Sequence, residues 1–282
     1  MYGTLYLVGT PIGNLEDMTV RAVRILKEVN LIAAEDTRNS IKILNHFEIK
    51  TPMTSYHEFN KIDKGHEIIR KLQSGENVAV ITDAGMPGIS DPGEELVAMA
   101  HAAGVKVTVV PGPSAVVSAL VISGLATRRF AFEAFLPSDK RKCREVLEEL
   151  KEETRTIIIY EAPHHLVKTL EKLYEALGDR RISIVKELTK IHENVFRTTI
   201  KGAVEYYEAN EPKGEFVLVI EGRDPKELKN EAVKSWEELS VSEHMQLYLD
   251  EGMDKKDAMK AVAKDRGVGK REIYDALLED KK

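Results

Sequence analysis

Residues 78–93 read VAVITDAGMPGISDPG, and they pass from a short apolar run into a loop rich in glycine and proline. The apolar run is typical of a β-strand, whereas the glycines and prolines that follow are typical of a turn. Glycine lets the backbone approach a small molecule closely, because it has no Cβ and tolerates positive φ. The stretch therefore predicts a strand that ends in a loop suited to ligand binding.

The first 115 residues repeat this pattern, with short apolar runs alternating with segments of helical spacing. Gly75 and Gly104 stand where a helix would stop and pass the chain to the next strand. Such alternation is typical of βαβ units and a parallel sheet. The predicted strands are Leu5–Gly9, Leu31–Ala34, Val78–Thr82 and Val107–Val110, and the predicted helices are Thr19–Val29, Lys64–Gln73 and Glu94–Ala102.

Residues 116–222 are expected to form a second, mixed α/β domain. A helix opens it within SAVVSALVISGL, residues 114–125, and the turn-rich end of 197–214 predicts a hairpin into the last strand. The predicted strands are Phe130–Phe135, Thr156–Tyr160, Arg181–Val185 and Phe216–Glu221, separated in part by helices Arg144–Glu152 and Leu166–Leu177.

Residues 223–282 are predicted to be a linker followed by a small helical domain. Residues 223–239 are charged and poor in apolar residues, as in a linker or an exposed helix. Beyond them, Glu243–Leu278 is helical, and DKKDAMKAVAKDRGVGKREIYDAL places helix, glycine-containing turn and helix at the spacing of a helix-turn-helix. The sequence thus predicts two α/β domains, 1–115 and 116–222, with an α-helical appendage.

Composition excludes several classes of protein. The 41 basic and 47 acidic residues give a net charge of −6, which argues against indiscriminate nucleic-acid binding but leaves room for a local basic surface. One cysteine, Cys143, excludes a disulfide framework and a cysteine-rich zinc site. Apolar runs are too short for a membrane span, and the N-terminus does not resemble a signal peptide, so we expect a cytoplasmic location.

Glycine- and proline-rich loops follow three of the predicted strands of the first domain. They are residues 9–14, 82–93 and 111–115. Ligands of open α/β sheets bind at the carboxyl ends of the strands, so three such loops predict a ligand site there. Neither a G-x-G-x-x-G fingerprint nor a phosphate-binding P-loop occurs, which excludes the common NAD-binding and NTPase motifs.

Four acid or imidazole side chains near the same edge are candidate general bases, with His57 and Glu58 preferred, then Asp36, then Glu35. Glu35 and Asp36 follow the second strand, where a helix-capping role for Asp36 or Thr37 is an equally good reading. His57 and Glu58 precede a helix and, as a pair, are more often found on a plain surface than in a catalytic site. The adjacent histidines at 164 and 165 do not share a face, so no metal site is predicted.

Eight motifs in order resemble the signature series of the tetrapyrrole methylase superfamily, the class III S-adenosylmethionine-dependent methyltransferases. They are LYLVGTPIGNLEDMT, AEDTR, YHEFN, TDAGMPGISDPG, VVPGPSA, AFLP, YEAPHH and KELTKIHE, within residues 1–222. Within the superfamily they resemble the branch that methylates the ribose 2′-oxygen of a cytidine in the decoding region of 16S ribosomal RNA. The resemblance implies two α/β domains with the methyl donor between them, and a homodimer.

The resemblance also implies a set of contacts to S-adenosylmethionine. They fall on Pro11, Gly13, Asp83, Gly85, Pro87, Ile89, Ser90, Pro111, Gly112, Ser114, Ala115 and Ala162. Three positions depart from the usual patterns: Met86 replaces the aspartate of porphyrin-ring methylases, which argues against a tetrapyrrole substrate. Phe59 replaces a histidine, and His165 replaces an arginine, which removes a cationic contact.

An RNA substrate requires contacts to phosphates, and basic residues cluster in two places. The candidates are Arg128, Arg129, Lys140, Arg141 and Lys142 around the predicted strand Phe130–Phe135, and Lys270 and Arg271 in the helix-turn-helix. Solvated surface charge explains the first cluster equally well. Two alternatives to rRNA methylation remain: a methylase of small molecules such as a tetrapyrrole precursor, and a DNA-binding regulator that senses S-adenosylmethionine.

Overall fold

The computed structural model describes residues 1–228 and 239–279. The chain divides into two compact units, Met1–Gly222 and Arg223–Lys282. The first unit contains two five-stranded sheets with their helices, which confirms the predicted fold class. The predicted domain boundary after residue 115 stays a prediction.

The first sheet is entirely parallel, with strand order β3-β2-β4-β1-β5. Because its two faces are covered by apolar clusters, centred on Leu26 and Ile32 and on Ile68 and Leu72, its inner strands β2 and β4 consist of apolar residues alone. The strands are β1 Thr4–Val8, β2 Leu31–Ala34, β3 Met53–Ser55, β4 Val78–Ile81 and β5 Lys106–Val110. The helices are α1 Val20–Glu28, α2 Thr37–His46, α3 Lys61–Gln73, α4 Gly93–Ala102 and α5 Ala115–Ser123.

The order of the strands brings the three glycine-rich loops together. Strands β4, β1 and β5 are neighbours and parallel, so the loops that follow them leave the same edge of the sheet. The prediction that these loops share one edge is therefore confirmed. Sequence analysis had not identified β3, which has only three residues, or the full extent of α2.

The second sheet is mixed, with order β6-β7-β10-β8-β9 and only the β6–β7 pair parallel. Its strands are β6 Phe130–Phe135, β7 Thr156–Glu161, β8 Arg181–Lys186, β9 Asn194–Thr199 and β10 Phe216–Ile220. Helices α6 Lys140–Lys151, α7 Leu166–Leu177 and α8 Ile200–Ala209 accompany it. One face packs on these three helices, and the other face packs on α5 through Val116, Ala119 and Leu120.

The predicted hairpin into the last strand is wrong. Arg197 lies in β9, which forms a hairpin with β8, and helix α8 fills most of the segment that follows. Thr199 begins this helix by accepting a hydrogen bond from the backbone N–H of Gly202, at 3.2 Å. Strand β10 then pairs with β7 and β8.

The second unit has three helices in its described part, α9 Val241–Asp250, α10 Lys255–Asp265 and α11 Lys270–Glu279. Their core includes Met245, Met259 and Ile273, and Gly267 in the turn between α10 and α11 has a φ of 64°. This agrees with the predicted helix, turn and helix. Most of the predicted linker, residues 229–238, lies outside the described residues.

Candidate functional site

The three loops at the edge of the first sheet are held to one another by backbone hydrogen bonds. Thr10 and Gly85 exchange two of them, N to O at 2.9 and 3.1 Å, and Gly9 N donates to Val110 O at 3.1 Å. The loops after β1, β4 and β5 therefore form one connected surface, although they lie far apart in the sequence.

Gly9 and Gly112 let two of these loops approach without any side chain between them. A Cβ built on Gly112 would lie 3.0 Å from the Cα of Gly9, and one built on Gly9 would lie 2.7 Å from the Cα of Gly112. Real Cβ contacts are longer, so both positions require glycine for this approach.

A cleft of about 810 Å³ opens beside these loops and takes its lining from both sheets. The first sheet contributes its β4 loop, residues 82–86 and 89–91, together with Ile12 and the start of α5, residues 114–117. The second sheet contributes residues 160–163 and 215–217, with Phe130, Phe132, Phe135, Val185 and Leu188. A volume of this size is typical of a site for a small-molecule ligand.

Seven of the twelve residues predicted to contact the methyl donor line this cleft. They are Asp83, Gly85, Ile89, Ser90, Ser114, Ala115 and Ala162. Pro111 and Gly112 line an adjoining pocket of about 370 Å³, which shares Ile12 with the cleft. Pro11, Gly13 and Pro87 are not among the residues that line either cavity.

Two polar residues of the cleft, Asp83 and Ser114, lie next to the start of a helix. Both carboxylate oxygens of Asp83 accept hydrogen bonds from the first turn of α2, from Asp36 N at 3.2 Å and Asn39 Nδ2 at 3.1 Å. Ser114 is the N-cap of α5, but its hydroxyl makes no capping hydrogen bond. The N-terminus of α5 therefore offers the cleft a hydroxyl that is not used for capping and the positive end of a helix dipole.

The wall formed by β7 contains a buried carboxylate that the motif analysis did not single out. Glu161 accepts hydrogen bonds from its neighbour Ala162 N at 2.7 Å and from Thr169 Oγ1 at 2.5 Å. These bonds fix the turn that places Ala162 at the cleft. Burial raises the pKa of the adjacent Tyr160, which lines the cleft as a neutral phenol. The position of Glu161 at the end of β7 is the sequence signal that could have identified it.

Of the four candidate bases, Glu35 and Asp36 do not line the cleft themselves, but they are hydrogen-bonded to Thr82 and Asp83, which do. Glu35 Oε2 accepts a hydrogen bond from Thr82 Oγ1 at 2.5 Å. Asp36 caps α2 by accepting from Arg38 N at 2.8 Å, as the structural reading of the sequence expected. Its hydrogen bonds to the Arg38 side chain hold the pKa of Asp36 at about 2, which makes this carboxylate a weak base at neutral pH.

The other two candidates, His57 and Glu58, are not among the residues that line the cleft. Glu58 pairs with Lys61 at 2.8 Å, and this lysine also pairs with Glu95. The Nδ1 of His57 is buried and has no hydrogen-bond partner among the described residues. The two side chains therefore do not form a hydrogen-bonded dyad in this structure.

The first predicted RNA-binding cluster lies at both ends of β6, the strand whose phenylalanines line the cleft. All five of its basic residues are exposed, Arg128 and Arg129 before the strand and Lys140, Arg141 and Lys142 at the start of α6. Arg141 pairs with Glu145 at 3.2 Å, whereas the other four have no ion pair with any residue in the described parts of the chain. Lys270 and Arg271 are exposed at the start of α11 in the second unit.

Neither a membrane-spanning helix nor a metal cluster occurs within residues 1–228 and 239–279. No helix in these ranges is long and apolar enough to cross a membrane. No group of three or more His, Cys, Asp or Glu side chains in the same ranges is placed to hold a metal ion.

Residues 4–204 match the family model of the tetrapyrrole (corrin/porphyrin) methylases. Two solved structures share the fold: uroporphyrin-III-C-methyltransferase from Thermus thermophilus, with a TM-score of 0.56 and 21% identity over 77% of this chain and 94% of that one, and a diphthine synthase, with a TM-score of 0.61 and 14% identity over 78% of this chain and 90% of that one.

Three curated relatives are much more similar in sequence, and each is named ribosomal RNA small subunit methyltransferase I. The relative from Halalkalibacterium halodurans is 50% identical over 97% of this chain and 94% of its own length. The relative from Synechocystis is 46% identical over 98% of both chains. The relative from Thermotoga maritima is 45% identical over 222 residues, which are 79% of this chain and 100% of that protein.

These similarities extend over most of the chain and agree with the two-sheet fold and the cleft. Methyltransferases of this family take their methyl group from S-adenosylmethionine. The chain therefore belongs to the tetrapyrrole (corrin/porphyrin) methylase family and, within it, to the ribosomal RNA small subunit methyltransferases I.

Proposed function

We propose that this chain transfers a methyl group from S-adenosylmethionine to the ribose 2′-hydroxyl of a cytidine in the decoding region of 16S ribosomal RNA. The observation that carries the proposal is the cleft itself, which has a polar end at the loops of the first sheet and exposed cations at both ends of β6. The phosphates of RNA are attracted by such cations.

The residues at the polar end fit the amino-acid part of the methyl donor. The N-terminus of α5 and the hydroxyl of Ser114 suit a carboxylate, and the carboxylate of Asp83 suits an amino or hydroxyl group. Gly85, with a φ of 83°, keeps this part of the wall free of a side chain. When bound, S-adenosylmethionine supplies an electrophilic methyl group on a sulfonium sulfur.

The task of the protein is then to hold the ribose oxygen in line with the carbon–sulfur bond that breaks as the oxygen–carbon bond forms. Alignment alone can supply about 7–11 kcal/mol of the barrier. The hydroxyl proton must also leave, and a positioned base adds about 10²–10⁴-fold. Among the four candidate bases, Glu35 is the one whose carboxylate accepts a hydrogen bond from a side chain that lines the cleft, the hydroxyl of Thr82.

The base is tested by replacing Glu35, Asp36, His57 and Glu58 singly, each by its amide or, for His57, by asparagine. We expect the largest loss of turnover, more than about tenfold, for Glu35→Gln. Asp36→Asn serves as a neighbouring control, since the pKa of Asp36 at about 2 suits it poorly to accept a proton. If none of the four variants lost tenfold, catalysis would rest on positioning alone.

The reaction is tested by incubating the protein with S-adenosylmethionine that carries a labelled methyl group. One sample receives unmodified small ribosomal subunits, and another receives a small-molecule extract that contains tetrapyrrole precursors. Label recovered as 2′-O-methylcytidine after nuclease digestion of the 16S RNA is the expected result. Label found only among the small molecules would overturn the proposal in favour of a small-molecule methylase.

The same proposal includes a cytoplasmic homodimer that acts on 16S RNA within the small subunit. Its support is the rRNA named in the relatives and the family resemblance of the motifs. Light scattering of the purified protein should give twice the mass of the 31.7 kDa chain. Comparing protein-free 16S RNA with assembled subunits as methyl acceptors identifies the form of the substrate.

A further inference from the structure

Four aromatic side chains from two adjacent strands line the second-sheet side of the cleft. They are Phe130, Phe132 and Phe135 of β6 and Tyr160 of β7. The ring of Tyr160 lies 5.0 Å from that of Phe132 and 5.6 Å from that of Phe135, measured between centroids. These distances are typical of aromatic rings in contact.

A β-bulge is what brings Phe135 into this group. Phe132 pairs with Ile158 and Phe135 with Tyr160, so two residues of β6 stand opposite the single Ile159 of β7. In a regular strand, Phe132 and Phe135 would point to opposite faces, because side chains alternate. The extra residue restores Phe135 to the face of the cleft, as bulges commonly do beside active sites.

The bulge requires a strained backbone conformation, yet it does not bury the side chain that it repositions. Ala134 adopts a φ of 51°, a left-handed conformation that residues with a Cβ avoid. The ring of Phe135, which this conformation redirects, stays 57% exposed, and Phe130 at the start of the same strand is 38% exposed. Strained backbone and exposed aromatic rings at a cleft point to a ligand that covers them.

A flat, aromatic group attached to a polyanion fits these surroundings best. The aromatic wall lies between Arg128 and Arg129 at one end of β6 and Lys140 and Lys142 just beyond the other. Rings that stack on bases, flanked by cations that contact phosphates, are the usual means of binding single-stranded nucleic acid. The polar end of the cleft, around Asp83 and Ser114, remains for the methyl donor.

We propose that the bulged strand β6 forms a stacking platform for the base of the nucleotide to be methylated, with Phe135 as its outer ring. This rests on the proposed function and deepens it, because it states how the target nucleotide is held. Stacking accepts any base, so the platform positions the nucleotide rather than selecting cytidine. The base must leave the RNA stack to reach it, as in other enzymes that act on single nucleotides.

The test compares Phe135→Ala and Phe135→Trp with the wild type, using small subunits as methyl acceptor. Tyr174→Ala is the matched control, an exposed aromatic residue that is not among those lining the cleft. We expect Phe135→Ala to lower kcat/KM for the subunits by about 5- to 150-fold, the effect of losing one base–aromatic stack. Phe135→Trp retains a ring that stacks and should keep more activity than Phe135→Ala, and Tyr174→Ala should keep the wild-type value. All four proteins should bind S-adenosylmethionine equally by calorimetry.

A second measurement removes the base instead of the ring. Subunits are reconstituted with 16S RNA that carries an abasic ribonucleotide at the position methylated by the wild type. The wild type should then lose at least as much kcat/KM as Phe135→Ala loses, and the abasic nucleotide should cost Phe135→Ala less than it costs the wild type, because the two changes break one contact in common. Additive losses would overturn the platform.

Two other results would also overturn it. If Phe135→Ala weakened binding of S-adenosylmethionine as much as it lowered kcat/KM, the ring would belong to the donor site. If Phe135→Ala methylated subunits like the wild type, the ring would have no part in the reaction. Failure of the proposed function itself looks different, since the wild type would then methylate no ribosomal RNA.

Discussion

The contact between Gly9 and Gly112 makes the donor site sensitive to a single methyl group. In Gly112→Ala, the new Cβ would lie within 3.1 Å of three backbone atoms of Gly9, which are unable to move aside like a flexible side chain. We expect a loss of about 1–3 kcal/mol in the free energy of unfolding from overpacking. Separation of the loops should also weaken S-adenosylmethionine binding about tenfold, or ~1.4 kcal/mol.

The matched control is Gly65→Ala, whose Cβ would meet only side chains, chiefly the flexible end of Met99. Gly65 lies inside α3, where alanine is the better helix former. This variant should bind the donor like the wild type. Calorimetry and urea unfolding of both variants check the prediction, and unchanged donor affinity in Gly112→Ala would contradict it.

For Asp36, the structure supports a role in capping helix α2 better than a role as a general base. Its hydrogen bonds with Arg38 lower its pKa from 3.8 to about 2, so the ionised carboxylate stabilises the folded state. For a lowered pKa, this stabilisation is present above pH 4 and is lost as the pH falls toward 2. The difference in unfolding free energy between wild type and Asp36→Asn should therefore shrink from pH 5 to pH 2.

The same comparison in an Arg38→Ala background provides the control. Without the guanidinium, the carboxylate loses the principal cause of its lowered pKa. Asp36→Asn should then have an effect that changes less over this pH range, because only the backbone hydrogen bonds from residues 38 and 39 still lower the pKa of Asp36. A difference that changed equally with pH in both backgrounds would show that Arg38 is not responsible.

At the scale of a single element, helix α8 depends on one cap that the sequence analysis overlooked. Thr199 ends β9 and starts α8 by accepting a hydrogen bond from Gly202 N. Thr199→Ala should cost about 1 kcal/mol of unfolding free energy, whereas Thr199→Ser keeps the hydroxyl and should cost much less. Urea unfolding measures both, and equal losses would indicate packing of the threonine methyl group instead of capping.

The elements that could be predicted from sequence are those with a strong local signal. Strands β1, β2, β4 and β5 are short, mainly apolar runs, and the glycine-rich loops after β1, β4 and β5 mark the edge where these loops meet. Strand β3 lacked such a signal because it has only three residues. Helix α8 was missed because the turn-rich residues 210–214 that follow it suggested a hairpin. The pairing partner of β10 depends on long-range contacts that no local pattern reports.

The site was predictable to a similar extent. Loops that approach a ligand with their backbone are recognisable in the sequence by their glycine and proline residues. Accordingly, seven of the twelve predicted donor contacts line the cleft. The aromatic wall carries no such signal, because Phe132 and Phe135 differ by an odd number of positions and share a face only through the bulge at Ala134. The spacing of candidate bases likewise could not show that Lys61 pairs with Glu58.

At the scale of the whole molecule, the relatives differ in how much of this chain they match. The Thermotoga maritima relative is covered over its full length by 79% of this chain, whereas the Synechocystis relative is matched over 98% of both chains. Both carry the same name. We infer that residues 1–222 hold the catalytic machinery and that the helical unit adds affinity for the ribosomal substrate.

This inference gives a prediction for the full-length chain. Lys270 and Arg271 are exposed and form no ion pair within residues 1–228 and 239–279. If each contacts a phosphate, their joint replacement by alanine should reduce the slope of log affinity for the small subunit against log salt by about 2. Donor binding should not change. Lys50→Ala with Lys106→Ala, two exposed lysines of the first sheet unit, is the matched control.

Filter binding at several salt concentrations separates the outcomes for this pair. A lower slope in the Lys270/Arg271 variant alone assigns the phosphate contacts to the start of α11. Equal slopes in both variants and the wild type would contradict RNA docking by this helix and leave the cations around β6 to carry the electrostatic attraction. In that case, replacing Arg128 and Arg129 should reduce the slope, because they flank the cleft where the target nucleotide must enter.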